Sequence, residues 1–401
     1  MKLQKSTSTK PGVEPKTVCE INQCAGCMAC VDICPKDAIH VTDELSHYNA
    51  VIREEKCIGC NACHKVCQHN HSPEFMPPMK WYQGWTVEES MRKTASSGGI
   101  ASVLSQTFLA EGGMVCSCVF QNGEFRFAFA GTEAELRKFA GSKYVKSNPQ
   151  GVYSQIRKLL KENKKILFIG LPCQAAALKN FVKPPLDHNL YIVDLICHGT
   201  PSPKVLELFL KQHGYSLSLM RDIRFRTKAK FQIYGDYKGI ATPGVCDRYS
   251  IAFLNSMTYT ENCYHCQYAK RERVSDLTLG DSWGSELSIE ELKKGVSLVL
   301  CQTDKGRQLL ENSKIHLEDV DIEKAIKNNH QLNAPSRKPE QWNTFFRRLE
   351  EGRGFDKLVS KYFPKQCFRQ DVKNILIKLK MLRGGVNNYG ILFLLKQEMK
   401  K

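Results

Sequence analysis

Through the middle of the chain, short apolar runs alternate with stretches whose apolar residues recur every three or four positions. Runs at 114–120, 165–169 and 190–196 predict buried strands. The stretch 151–163 carries Val152, Ile156, Leu159 and Leu160 on one helical face, and a second helix is expected over 174–181. Ser202 can cap a third that has Pro203 at its first position and runs to about His213. Ser96-Ser97-Gly98-Gly99 opens a further helix with Ile100, Val103, Leu104 and Phe108 on its apolar side. Strands return at 222–227, 231–237, 275–279 and 296–301. Successive strand–helix units imply an α/β domain with a mostly parallel sheet covered on both faces.

The flanks read differently. Residues 1–18 are polar, basic and rich in Ser, Thr and Lys, which predicts a disordered lead. Residues 19–70 form a small α+β module with an extended hairpin over 38–51. A linker at 71–84 contains Pro73, Pro77 and Pro78, which resist continuous helix or strand. The α/β domain then covers 85–320, and 321–401 is a basic, helical C-terminal region. Its apolar residues Ile375, Leu376, Ile377, Leu379, Met381 and Leu382, and those at 391–395, stand among lysines. Packing against the domain or a second subunit is the simpler expectation for them, and peripheral membrane contact the alternative.

Composition narrows the setting. The N-terminus offers no apolar h-region, and no run is long enough to span a bilayer. With 18 cysteines and no export signal, a reducing cytoplasmic location is expected. The formal net charge is +17. That balance favours acidic partners such as ferredoxin or flavodoxin, phosphorylated cofactors or a phospholipid surface. Basic residues are spread along the chain without a recognisable binding module, so nucleic acid is not the expected partner.

The strongest chemical signal is a cysteine rhythm repeated at an offset of 33 residues: Cys24, Cys27, Cys30, Cys34 and then Cys57, Cys60, Cys63, Cys67. Both follow C-x2-C-x2-C-x3-C, the bacterial ferredoxin run, in which three thiolates wrap one [4Fe–4S] cube and the fourth reaches the other cluster. The assignment is Cys24, Cys27, Cys30 and Cys67 for one cluster, and Cys57, Cys60, Cys63 and Cys34 for the second. Structural zinc is the competing reading, but zinc sites use separated C-x2-C pairs rather than tight triplets. Pro35 follows the first run as the motif expects, whereas Gln68 replaces proline after the second.

A weaker constellation lies in the α/β domain. Cys173 and Cys197 each stand just past the carboxyl end of a predicted strand, where open α/β folds place their ligands, and Cys263 and Cys266 add a C-x2-C loop. Spacing alone favours ordinary core thiols. Cys116 and Cys118 share one strand face and read as core; Cys19, Cys246, Cys301 and Cys367 read as packing or incidental residues. The helix start at Ser96-Ser97-Gly98-Gly99 suits a pyrophosphate, though on these residues alone a plain cap is the preferred reading; Gly141-Ser142-Lys143-Tyr144 offers a cation, a hydroxyl and an aromatic ring, and a surface turn explains it equally. No G-x-G-x-x-G follows a strand, so a standard Rossmann site is not indicated. His198 reads as a structural hydrogen-bonder, and no catalytic residue is assigned.

Taken together, Gly170-Leu171-Pro172-Cys173-Gln174, Cys197-His198-Gly199-Thr200-Pro201-Ser202, Cys263-Tyr264-His265-Cys266 and the segment from Ser275 to Gly284 resemble one family. It is the β subunit of the coenzyme F-420 (deazaflavin) hydrogenases and dehydrogenases, fused behind a two-cluster ferredoxin domain. The Ser96–Gly99 and Gly141–Tyr144 motifs match as well, and the resemblance covers roughly residues 19 to 315. It implies FAD, contacted by those two motifs and Gln174, and a third [4Fe–4S] cluster on Cys173, Cys197, Cys263 and Cys266. Leu171 departs from the small hydroxyl residue common in relatives, which puts any hydrogen bond from that position in doubt. The implied activity is an iron–sulfur flavoprotein oxidoreductase passing electrons between a two-electron donor or acceptor and a one-electron protein partner. A non-catalytic electron-transfer subunit of a larger redox complex is the alternative. The family spans several small-molecule substrates, so the resemblance names none.

Overall fold

The computed structural model describes residues 15–381 apart from 229 and 237. The first cysteine run lies on the helix Ala29–Ile33 and the loop before it; the second uses the helix Ala62–Val66 in the same way. The repeat extends to the backbone. Gly26 and Gly59 have φ of 68° and 70°, and Met28 and Asn61, which precede the two helices, have φ of 61° and 58°. This left-handed turn folds each C-x2-C loop back on itself, and glycine adopts it without penalty. Between the runs, β1 (Ile39–Asp43) and β2 (Tyr48–Ile52) form the expected antiparallel hairpin.

Thr17 bridges to Val51, and the Val18 N–H donates to Ala50 O at 2.9 Å. The described end of the expected lead therefore belongs to this module; residues 1–14 lie outside the described residues. The linker is also shorter than expected. Met76 exchanges two backbone hydrogen bonds with Arg273, and β3 (Lys80–Thr86) enters the central sheet. The prolines end at Pro78, and the buried residues of β3 are Gln83, Gly84 and Thr86, none of them a large apolar side chain, which is why sequence periodicity passes over the strand.

The body carries β4 (Met114–Gln121), β5 (Glu124–Ala130), β6 (Ile166–Gly170), β7 (Leu190–Leu195), β8 (Ile223–Thr227), β9 (Lys230–Gly235), β10 (Lys238–Gly239), β11 (Leu277–Asp281), β12 (Ser297–Cys301) and β13 (Ile315–Asp319). The main sheet has the order β13-β3-β12-β11-β7-β6-β4-β5. Its core, β11, β7, β6 and β4, is parallel as the strand–helix alternation requires; antiparallel β12, β3 and β13 on one side and β5 on the other widen it. Strands β8, β9 and β10 make a separate small antiparallel sheet.

Alternation along β6 assigns its two faces to different cores. Ile166 and Phe168 join a cluster with Tyr153, Phe181 and the cysteine module, while Leu167 and Ile169 pack with Ile100, Leu104 and Phe108 beneath the helix Ile100–Ala110. The cysteine module is thus seated on the helices Val152–Lys161 and Pro172–Phe181 rather than tethered beside them. Asp32 accepts from the N–H groups of Gly151 at 2.7 Å and Tyr153 at 3.1 Å, capping a helix of the other domain. Asn180 Nδ2 donates to Val66 O at 3.4 Å and His71 O at 2.6 Å.

The C-terminal region is helical over Ile322–Asn328, Trp342–Glu350, Phe355–Tyr362 and Pro364–Lys378. Trp342, Phe345, Phe355 and Val359 share a core with Phe209 and Tyr249, so most of this region is part of the body. The last helix exposes Phe368, Val372, Ile375 and Leu379. The apolar run at 391–395 lies outside the described residues. Among the described residues no helix is long and apolar enough to cross a membrane.

Candidate iron–sulfur and cofactor site

Cys24, Cys27, Cys30 and Cys67, the set inferred from the crossed ligation pattern, line one small cavity, each no more than 7% exposed. A peptide N–H, that of Gly26, points at the Cys24 sulfur at 3.4 Å, the kind of bond that stabilises a thiolate. A fifth thiol, Cys19, lines the same cavity. It lies within hydrogen-bond reach of both Cys24 and Cys67; this bond holds the Cys67 thiol down to about 7 and lowers Cys24, while Cys19 itself is driven up. Sequence reading passed over Cys19 because it falls outside the repeated spacing, five residues before the run.

The second set is open. Cys60 is exposed, and Cys34, Cys57 and Cys63 are half-buried. Burial raises the Cys63 thiol, and the charges of Cys34 and Cys57 add to it, so those three neighbours belong together as the crossed assignment requires. The Ala38 N–H donates to the Cys34 sulfur at 3.3 Å.

The third set gathers at the carboxyl edge of the parallel strands. Register pairs Gly170 of β6 with Asp194 of β7, so Cys173 and Cys197 leave adjacent strands side by side. Burial pushes the Cys197 thiol well up, reinforced by Cys263, Cys173 and Cys266 in turn; Cys173 is pushed to about 12 and Cys266 to about 11, again chiefly by burial. All four thiols therefore sense one another. The Thr200 N–H donates to the Cys263 sulfur at 3.4 Å. A buried ion pair braces the group: Arg273 reaches Asp194 at 3.2 Å, and its remaining N–H groups donate to Tyr268 O at 2.7 Å and Leu195 O at 3.1 Å. Gln68, in the place of the expected proline, is buried, and its carbonyl accepts from Gln267 at 2.6 Å and Tyr268 at 3.1 Å. The residue after Cys67 is thereby pinned to the residues after Cys266.

The buried set adjoins both of the others: Cys30 feels the charge of Cys63, and Cys27 that of Cys173. Among the described residues no three Cys, His, Asp or Glu side chains converge tightly enough for a single metal ion. A cube of irons and sulfides holds its four thiolates farther apart than one ion does. The cavity, the four-thiol sets and the N–H donors to sulfur fit such clusters.

The two loops expected to meet a flavin come together: the Ser142 N–H donates to Ser96 Oγ at 2.9 Å. Much of their polar capacity is used internally. Ser97 Oγ donates to Val296 O at 2.7 Å, and the Gly98 N–H to Ser297 Oγ at 3.0 Å; a Cβ at Gly98 would stand 2.4 Å from Gly84 O, so close packing demands this glycine. Lys143 Nζ turns back to Phe139 O at 2.8 Å, and the Tyr144 ring stacks on Phe253 and Phe231. Gln174 is buried and fully engaged, accepting from the Leu171 N–H at 2.9 Å and donating to Ser147 Oγ at 3.1 Å. Gly141 lies on the exposed rim of its loop.

Three cations missed by sequence reading cluster here. Arg226 is bidentate to Asp281 at 2.6 and 2.7 Å and also donates to Tyr144 Oη and Ser96 O. Lys228 donates to Arg92 O and Ser97 O; burial and the nearby Arg92 and Arg226 hold its ammonium down to about 8. Isolated cations on a short helix, a strand and a turn, as Arg92, Arg226 and Lys228 are, give no signal in sequence. Arg226 is paired with Asp281 and Arg92 with Glu291 at 3.0 Å, so among the described ion pairs Lys228 is the cation of the three that has no carboxylate; beside two converging loops it fits a phosphate-bearing cofactor such as FAD. His198 is held by Gln331 at 2.7 Å, in line with a structural role.

The α/β body and its cysteine sets define an iron–sulfur electron-transfer protein. Residues 163–324 match the family model for the C terminus of the coenzyme F420 hydrogenase/dehydrogenase beta subunit. Residues 81–151 match the model for the N-terminal part of the same beta subunit, and residues 23–71 match a 4Fe-4S dicluster domain. The chain belongs to the coenzyme F420 hydrogenase/dehydrogenase beta-subunit family, with a 4Fe-4S dicluster domain fused ahead of it. A solved chain of the F420-reducing [NiFe] hydrogenase complex from Methanosarcina barkeri is similar at 19% identity and TM-score 0.45, over 67% of this chain and 99% of that one. No curated protein sequence matches this chain.

Proposed function

We propose that the protein is an iron–sulfur flavoprotein oxidoreductase that passes electrons between a two-electron donor or acceptor and a one-electron protein partner. The observation that carries the reading is the gathering of three thiol sets, one exposed, one buried and one at the sheet edge, with the buried set adjoining both others. In this reading Cys57, Cys60, Cys63 and Cys34 hold the outer [4Fe–4S] cluster, and Cys24, Cys27, Cys30 and Cys67 the inner. Cys173, Cys197, Cys263 and Cys266 hold a third. FAD, when bound, supplies the exchange between paired and single electrons. The chain's own residues do the rest. Arg226 and Lys228 attract the phosphates, the joined Ser96 and Ser142 loops fix the cofactor, and the buried cavity keeps water from the inner thiolates. The exposed loop of Cys57 and Cys60 is the exit to an acidic carrier, or to another protein of a larger redox enzyme.

Anaerobic reconstitution followed by acid release of cofactors tests this. FAD in cluster-loaded protein, with bleaching by a nicotinamide, deazaflavin or reduced carrier, is the expected result. Loaded clusters without FAD would favour a non-catalytic electron-transfer subunit, for which the internal engagement of Ser97, Gly98 and Lys143 is the supporting observation.

A further inference from the structure

Lys146 is a buried cation, only 6% exposed, and among the described ion pairs no carboxylate partners it. Its backbone N–H donates to Pro201 O at 2.8 Å, fixing it beside the loop that follows Cys197. The side chain crosses into the cysteine module, where Nζ donates to Ala25 O at 3.0 Å, inside the Cys24–Cys27 loop. Its Cδ stands 3.0 Å from where a Cβ on Gly26 would lie, and Nζ is 5.2 Å from the Tyr48 ring centroid. Asp43, on the same hairpin as Tyr48, accepts from Tyr48 Oη and Ser202 Oγ at 2.8 and 2.6 Å.

An ammonium has three N–H donors, and one carbonyl satisfies one of them. Leaving such a charge inside a protein without an anion is costly. Thiols flank it on both sides: Ala25, which accepts from Nζ, lies between Cys24 and Cys27 of the inner set, and Pro201, which accepts from the Lys146 N–H, follows Thr200, whose own N–H bonds the Cys263 sulfur of the sheet-edge set. We infer that Lys146 is a positioning residue whose fixed charge lies between these two sets, compensates the negative charge of what they hold, and raises the reduction potential of both. The inference rests on the cluster reading above. Physically, a cation favours the more negative, reduced state of a neighbouring centre, and one cation shared by two centres raises both together. Among the described hydrogen bonds Lys146 makes none to the residues around the outer set, so that set serves as the internal control.

The test is a potentiometric titration followed by electron paramagnetic resonance. The anaerobically reconstituted full chain would be compared with Lys146→Met and Lys146→Arg. Iron and acid-labile sulfide are measured first. If the unsubstituted chain takes up neither, the cluster reading itself fails, separately from this inference. With clusters loaded, Lys146→Met is expected to shift the reduction equilibrium of the inner and sheet-edge centres at least tenfold toward the oxidised state, about 59 mV for one electron. The outer centre stays in place, and Lys146→Arg restores both potentials. If Lys146→Met loses the inner centre while Lys146→Arg keeps it, the charge is required and the inference stands. Unchanged potentials in a loaded Lys146→Met protein overturn it. So does equal loss in both variants, which would make Lys146 a packing residue only.

Discussion

The two cysteine runs share a spacing, a left-handed turn and a short helix, yet they have opposite environments. The thiols of Cys24, Cys27 and Cys30 are sealed in a cavity with Cys67, whereas Cys60 is exposed and its loop, from Arg53 to Asn61, is in contact with solvent over most of its length. The shared spacing does not produce the difference, for the first run has Asp32 where the second has Lys65. The difference comes from what packs outside the repeat: the first helix is seated against Val152–Lys161 and Pro172–Phe181, with Asp32 capping the former. On the proposed reading, one half of a duplicated motif is an interior relay and the other a terminal. A motif thus specifies ligation, while its partners in the fold specify access.

The largest expected effect comes from removing one ligand from each half. Cys24→Ser should empty the inner set and destabilise the chain by about 3 kcal/mol or more, since binding at a buried site is also folding energy. Cys60→Ser should cost only the outer cluster, with the thermal transition little changed. Iron content and thermal unfolding of the two variants, side by side, check this; equal destabilisation would erase the distinction between interior and terminal. Asp32→Ala attacks the cause of the asymmetry. It removes the cross-domain cap of the helix Val152–Lys161, at a cost of about 1–2 kcal/mol. Amide hydrogen exchange should rise in Ala29–Ile33 and leave Ala62–Val66 unaffected.

Much of this was legible in the chain. The eight-cysteine rhythm, the hairpin between the runs and the apolar strands β4, β6 and β7 all follow from spacing and period. So does the meeting of Cys173 and Cys197, because parallel neighbours end on one edge. What escaped was decided by packing at long range. Strand β3 is a short run between prolines and a polar loop. Strand β5 is different: it alternates Phe125, Phe127 and Phe129, a period of two that marks a strand without any tertiary information. Cys19, Lys146, Arg226 and Lys228 carry no local pattern; each acquires meaning only from residues distant in the chain. Gln68 is the instructive case. As a missing proline it is a small defect in the motif, and in the fold it is the joint between two cysteine sets.

The fifth thiol sharpens the contrast between the halves further, because the outer set has no counterpart to it in the repeat. Cys19→Ala should leave iron content intact and lower the potential of the inner centre alone, by less than the tenfold equilibrium shift of about 59 mV, since a weak S–H donor to sulfur is lost. Potentiometric resonance spectra of the inner and outer centres give the comparison directly. A shift in the outer centre would mean that Cys19 acts through the fold of the module and not through its bond to Cys24 and Cys67.

The smallest effect concerns pH, and it probes the hairpin that joins the two halves. His40, on β1, has a buried Nδ1 without a hydrogen-bond partner, and burial, assisted by Arg53, pushes its imidazole below the ordinary 6.5. The sign follows. A base whose folded pKa is depressed takes up its proton more readily when unfolded, so its contribution to stability is present above 6.5 and is lost as pH falls through the folded value. Arg53 lies at the start of the exposed loop, so the repulsion in acid falls on the side of the outer set. Lowering the pH from about 7.5 to about 5.5 should therefore increase exchange, after correction for intrinsic rates, in β2 and Ala62–Val66 before Ala29–Ile33. His40→Gln should flatten the dependence. Simultaneous opening of both helices would show that the buried half draws its order from the hairpin, not from the helices beneath it.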